Sequence, residues 1–241
     1  MEYGLQLYSV RDITEQDLRG ALRAVADLGY TFVEFAGFFG HSAEDVKQML
    51  KENGLGVCGA HIGLDEISPE RIKDTVAYHK ILGNNTLIIP WSDCSTQEKL
   101  DALIDALNTA QPILAAEGML LGYHNHAFEY EKTAYGVLPH KELEARTDVV
   151  LETDTYWVYA AGVDPIAELE RLGERVRLIH VKDGLADHSG RALGEGTAPV
   201  AEVVAYAKEK GIPMVVESET LDPTGIEEVT RCIRYLATLE K

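Results

Sequence analysis

A repeated alternation constrains this 241-residue sequence more than any single motif. Short apolar runs and longer amphipathic stretches follow one another eight times. The strand candidates are Tyr3–Tyr8, Phe32–Ala36, Gly56–His61, Thr86–Pro90, Met119–His124, Val149–Asp154, Arg177–Val181 and Met214–Glu217. Near-continuous apolar strands of this kind suit a parallel sheet covered by helices. Between them, Leu18, Ala21, Leu22, Val25, Ala26 and Leu28 fall on one helical stripe. Thr96–Glu117, Asp164–Leu172, Val200–Lys210 and Ile226–Leu239 repeat the pattern. Gly29, Gly54, Gly83, Gly118 and Gly211 stand where helices should stop. Ser42, Ser68, Asp164 and Asp222 are candidate N-caps, and Pro follows three of them directly.

Eight β-then-α units without a linker or low-complexity segment predict one α/β domain over residues 1–241, a (β/α)8 TIM barrel. The alternative, a doubly wound open sheet, normally carries a Gly-rich phosphate loop after its first strand. Here that strand runs into Leu-Tyr-Ser-Val-Arg-Asp, and no GxGxxG follows a strand anywhere. No nucleotide cofactor is expected.

Charge narrows the partners. Forty acidic residues against 22 basic ones give a net charge of −18. Such a surface repels phosphate backbones and anionic membranes, so neither nucleic acid nor membrane is an expected partner. A small-molecule sugar or polyol suits it better, and nothing in the sequence opposes a homo-oligomer. No apolar run reaches the roughly 20 residues of a membrane helix, and the start, MEYGLQLYSVRD, lacks the pattern of a secretory signal. The three cysteines, Cys58, Cys94 and Cys232, are odd in number and scattered, which fits a cytoplasmic location better than a disulfide framework.

In a parallel barrel, chemistry gathers where strands end. Side chains alternate faces along a strand, so Gly122, His124 and His126 share a face, as do Glu152 with Asp154, His180 with Lys182, and Glu217 with Glu219. If those faces point inward, His124, Asp154, His180 and Glu217 meet at one rim. Each has a plainer use. A strand-end histidine often serves as a hydrogen-bonded structural residue, and a carboxylate there caps the next helix. Four such residues on four successive strands also make a site for a divalent metal, with Mn, Mg, Zn and Co all open.

The pieces Leu151-Glu-Thr-Asp-Thr-Tyr-Trp157, Ile179-His-Val-Lys-Asp183, Leu193-Gly-Glu-Gly196 and Val215-Val-Glu-Ser218, in this order, resemble the xylose-isomerase-like sugar phosphate isomerase/epimerase superfamily. Its members include ketose 3-epimerases, inosose dehydratase and endonuclease IV-like barrels. The resemblance covers essentially the whole chain and implies a Glu, Asp, His, Glu metal set on strands five to eight. Asp154, His180 and Glu217 match the last three. His124, followed by Asn125, stands where the first Glu belongs, and Glu129, five residues on, is the rival fourth ligand. In the epimerases two metal-bound glutamates act as acid and base on opposite faces of the substrate; a histidine still shuttles protons but breaks that symmetry.

Tyr8, Glu34, His61, Trp91, His126, Glu129, Tyr156 and Trp157 are candidate pocket walls, and Arg191 lies in a long loop, 183–197, placed to cover the pocket. The expected activity is a metal-dependent isomerase or epimerase on a small sugar, keto-sugar or polyol. Glu217 or His124 would take a proton next to a carbonyl, and Lys182 would hold the resulting enediolate. A dehydratase or lyase using the same first step is the alternative, ahead of a sugar-binding barrel without turnover. Endonuclease activity is opposed by the charge.

Overall fold

Eight short parallel strands close on one another in chain order: β1 Gly4–Gln6, β2 Phe32–Phe35, β3 Gly56–His61, β4 Thr86–Ile89, β5 Leu120–His124, β6 Val150–Asp154, β7 Val176–Val181 and β8 Met214–Val216. β8 pairs back onto β1, with Gly4 opposite Val215. The computed structural model describes residues 2–240. Each strand leads to an outer helix: α1 Leu18–Asp27, α2 Ala43–Asn53, α3 Ile72–Leu82, α4 Gln97–Ala116, α5 Pro139–Arg146, α6 Pro165–Leu172, α7 Val200–Lys210 and α8 Gly225–Thr238. This is the expected (β/α)8 barrel. None of its described helices is long and apolar enough to cross a membrane.

All five expected helix-stopping glycines have positive φ. Two N-caps also hold: Ser42 accepts from Asp45 N, and Asp164 from Ile166 N and Ala167 N. Two do not. Ser68 precedes a turn, and α3 starts later, after Arg71. Asp222 lies too early, and Thr224 caps α8 instead by accepting from Glu227 N. β1 is shorter than its apolar run, because Leu7–Val10 turns into a 3-10 helix.

Period two divides the hydrophobic residues into two bodies. Outward-facing strand residues such as Leu5, Val33, Leu87, Leu121, Ile179 and Val216 pack with the helices in one large core. Inward-facing Ile88, Leu178 and Val215 are buried inside the barrel. Glycine makes room there: a Cβ at Gly122 would lie 2.5 Å from Ile88 Cδ1, and one at Gly4 would collide with the Phe32 ring. The lower barrel is therefore filled with apolar side chains. Above them the inward residues become polar.

Candidate active site

Two strand irregularities set the height of the polar layer. Between β6 and β7 the register shifts at Leu151/Glu152, which brings Asp154 opposite His180. Between β2 and β3 it shifts at Val33/Glu34, which brings Glu34 opposite Gly59. In both, one strand spends an extra residue and re-aims the side chains that follow.

The upper tier contains His124, Asp154, His180 and Glu217, all buried, each offering one nitrogen or oxygen within 4.8 Å of the others. Asp154 caps the short helix Thr155–Ala160, its Oδ1 accepting from Tyr156 N (2.9 Å) and Trp157 N (3.0 Å). Its other oxygen, Oδ2, is buried without a hydrogen-bond partner. Glu217 Oε2 accepts from His180 Nδ1 (3.2 Å) and Lys182 Nζ (3.2 Å). Lys182 also pairs with Glu219, lies 3.7 Å from Asp154 Oδ2, and sits 4.8 Å from the centre of the Trp157 ring.

Beneath lies a second tier. Glu152 Oε2 accepts from His61 Nε2 at 2.5 Å, faces His180 Nε2 at 3.3 Å, and faces His124 Nδ1 at 3.1 Å, off the axis of a good hydrogen bond. Glu34 Oε2 accepts from Gln6 Nε2 and His180 Nε2, both at 2.8 Å. His180 thus spans the tiers, with Nδ1 toward Glu217 and Nε2 toward Glu34 and Glu152.

Burial and neighbours divide the charges. Burial pushes His124 down to about 3, so its ring is neutral, the form that ligates metals. Burial works against a charged His180, but Glu152 and Glu217 outweigh it and hold its pKa well above the ordinary value. Glu217 is also opposed by burial, yet Lys182 and His180 keep it ionised. Burial raises Asp154 to about 7 despite Lys182, and burial followed by the Glu152 charge raises Glu34 to about 7.

The donors suit a divalent cation, which would displace the Nδ1 proton of His180: two imidazoles, two carboxylates, and in Asp154 Oδ2 a buried acceptor with nothing to accept. A third group, His140, Glu144 and Glu168, already has its cation, since Arg171 grips both glutamates.

Over the upper tier opens a cavity of about 360 Å³, lined by Tyr8, His61, Trp91, His124, His126, Glu217 and Glu219 among others. Tyr8 and Trp91 stand exposed at its edge. Five expected wall residues lie elsewhere. Glu34 belongs to the tier beneath, with Gln6 and His180, and Tyr156 is buried with its Oη donating to the carbonyl of Leu185 (3.1 Å). Glu129 is fully buried and turned away from the cavity, accepting from Tyr123 Oη (2.8 Å) and His126 N (2.7 Å). It braces the turn after β5 and is outside the group of candidate ligands, because both of its oxygens are captured by buried donors. Arg191 is solvent-exposed and folds back on the carbonyl of Gly190. Its loop forms a small hairpin, Asp183–Gly184 against Gly190–Arg191, instead of spreading over the mouth. Trp157 underlies Lys182 and is not a wall of the cavity.

Two residues escaped the sequence reading. Asp183 anchors the Leu-Gly-Glu-Gly loop by accepting from the backbone N–H groups of Gly184, Gly194, Gly196 and Ala198. A Cβ at Gly196 would strike that carboxylate. Glu219 shares the inward face of Glu217, a parity visible in the sequence, and lines the cavity.

The sequence model of the family described as "Xylose isomerase-like TIM barrel" matches residues 22–236. The chain is a xylose isomerase-like TIM barrel. Inosose dehydratase from Geobacillus kaustophilus is 25% identical over 186 residues, 67% of this xylose isomerase-like chain. The chain spans only 60% of that relative's length. A sugar phosphate isomerase/epimerase from Parabacteroides distasonis is 26% identical with a TM-score of 0.85, covering 98% of this chain and 97% of its own. The structure of L-ribulose 3-epimerase shares the fold at 16% identity and a TM-score of 0.74, over 99% of this chain and 94% of its own. Isomerases, epimerases and dehydratases thus stand among this barrel's relatives.

Proposed function

We propose that the chain is a divalent-metal-dependent enzyme that removes the proton beside a carbonyl in a small sugar, keto-sugar or polyol and returns it to give an isomer or epimer. The observation that carries this reading is the convergence of His124, Asp154, His180 and Glu217 beneath an open cavity, with one Asp154 oxygen unpartnered. These four would hold the ion, which supplies Lewis acidity toward a carbonyl and its neighbouring hydroxyl. Glu217 is the base: ionised, within the cavity wall, and steadied by Lys182. The Lys182 ammonium, fixed between Glu217 and Glu219, offers positive charge to a developing enolate oxygen. His61 and His126 line the same cavity and present ring nitrogens to substrate hydroxyls. Trp91 and Tyr8 provide aromatic faces at the mouth.

A second reading has its own support. Carboxylates line one side of the cavity and imidazoles the other, so the symmetrical pair of an epimerase is missing. Loss of a β-hydroxyl after the same proton abstraction requires no such symmetry, and the relative from Geobacillus kaustophilus is a dehydratase.

Incubation with Mn, Mg, Zn or Co and a panel of ketopentoses, ketohexoses and inososes in deuterated water tests both. We expect deuterium at the carbon beside the carbonyl, lost by a factor of about 10² or more in Glu217→Gln. Exchange with an isomeric product supports the first reading, and loss of water supports the second. No exchange by metal-loaded protein with any of these sugars would overturn both.

A further inference from the structure

Trp91 belongs to two cavities. One is the cavity above the candidate ligands, about 360 Å³; the other, about 400 Å³, lies between the loops after β4 and β5. The second is lined by Ser92, Asp93, Phe128, Glu131, Lys132 and Thr133 among others. Each alone is within the roughly 300–1,000 Å³ of small-molecule sites. The indole between them is 57% exposed. Standing between two cavities, it offers an aromatic face to whatever occupies either.

The display is also rigid. Pro90 precedes Trp91, and the following turn is pinned where Asp93 accepts from Ser95 N (2.8 Å) and Lys99 Nζ (2.5 Å). Tyr135 Oη donates to Cys94 O at 2.8 Å and fastens this loop to the one after β5. On the opposite side the His126 ring, a wall of the first cavity, stacks at 6.0 Å on Phe128, a wall of the second. An aromatic strip therefore runs from one cavity to the other.

We propose that the second cavity is a subsite for the second unit of a neutral glycoside, so that the substrate is disaccharide-sized, with its reacting ring over the candidate ligands and its other ring beyond Trp91. The proposal rests on the reading of the first cavity as a sugar site. Trp91 would pack against the C–H faces near the glycosidic link, while Ser92 and Glu131 offer hydrogen bonds to hydroxyls. A phosphate tail fits poorly. Lys132 is the cation among the named residues, against Asp93 and Glu131, whereas a phosphate carries about −1.5 to −2 charges.

The test is titration calorimetry of the full chain with glucose, cellobiose, maltose, trehalose and glucose 6-phosphate. We expect at least one disaccharide to bind about tenfold or more tightly than glucose, and glucose 6-phosphate to gain nothing. Ala134→Trp, which fills the second cavity from an exposed position, should erase that advantage and leave glucose binding unchanged. Equal affinity for glucose and every disaccharide would overturn the subsite alone, as would an advantage that survives Ala134→Trp or a tighter hold on glucose 6-phosphate. Binding of none of these sugars would overturn the subsite, and failure to bind the ketopentoses, ketohexoses and inososes as well would overturn the sugar-site reading beneath it.

Discussion

Replacing Glu152 by Gln changes one buried oxygen that three imidazoles face. His61, His124 and His180 each aim a ring nitrogen at Oε2, at 2.5, 3.1 and 3.3 Å. Two of those rings, His124 and His180, are proposed ligands, and the Glu152 charge favours the N–H of each ring on the side turned toward it, with Glu34 sharing His180 Nε2. An amide keeps the volume but loses the charge, and its NH2 group turns a donor toward N–H donors if it takes the Oε2 position. Removing one such supporting partner typically costs 10–100-fold in metal affinity. With two ligands served by one carboxylate, the upper end applies, about 100-fold or roughly 2.7 kcal/mol. Titrating Mn or Zn into wild type and Glu152→Gln by calorimetry measures it, with circular dichroism to confirm a folded barrel. A folded variant that binds metal within twofold of wild type would refute the assignment of Glu152 as the group that orients the ligands.

Other outcomes follow from the same geometry. His124→Ala should lose at least about tenfold in metal affinity, while Glu129→Gln should leave it unchanged, because the Glu129 carboxylate points into the wall. Asp183→Ala strands four backbone N–H donors and should lower stability by about 3 kcal/mol or more, read as a shift in the urea midpoint. His79 is neutral in the fold, its pKa lowered by burial from 6.5 to about 4, with Asn84 donating to Nδ1 at 3.0 Å. The unfolded chain binds that proton more readily, so the contribution is complete above pH 6.5 and is lost as pH falls toward 4, by about 3 kcal/mol. Urea melts across that range should show the slope in wild type and a shallower one in His79→Leu.

The sequence carried the fold because periodicity is local: period two in the strands, 3.6 in the helices, and glycine between them. It also carried the grouping of Asp154, His180, Glu217 and His124, since parity along four strands assigns each to an inward face. The lower tier was far less legible. Gln6, Glu34, His61 and Glu152 come from four strands, and the registers that set Glu34 against the His61 strand and Glu152 against the His180 strand contain shifts that leave no mark in composition. Glu129 and Arg191 illustrate the opposite difficulty. Both lie close to the site in sequence, but their orientation is set by local donors and by a hairpin, forces that motif spacing does not register. Ser68 and Asp222 have the chemistry of N-caps, and competing turns decided where their helices begin.

The glycines and apolar residues of the lower barrel have a consequence for turnover. With Phe32, Ile88, Leu178 and Val215 packed across it, the barrel is a blind well and not a tunnel. Whatever reaches the His124 side must pass Trp91 and Tyr8, and whatever is made must leave past them. In the proposed reaction, substrate and product would therefore contend for the same mouth. Product should inhibit competitively, and release past the doorway, a step distinct from proton transfer, becomes a natural limit on the rate.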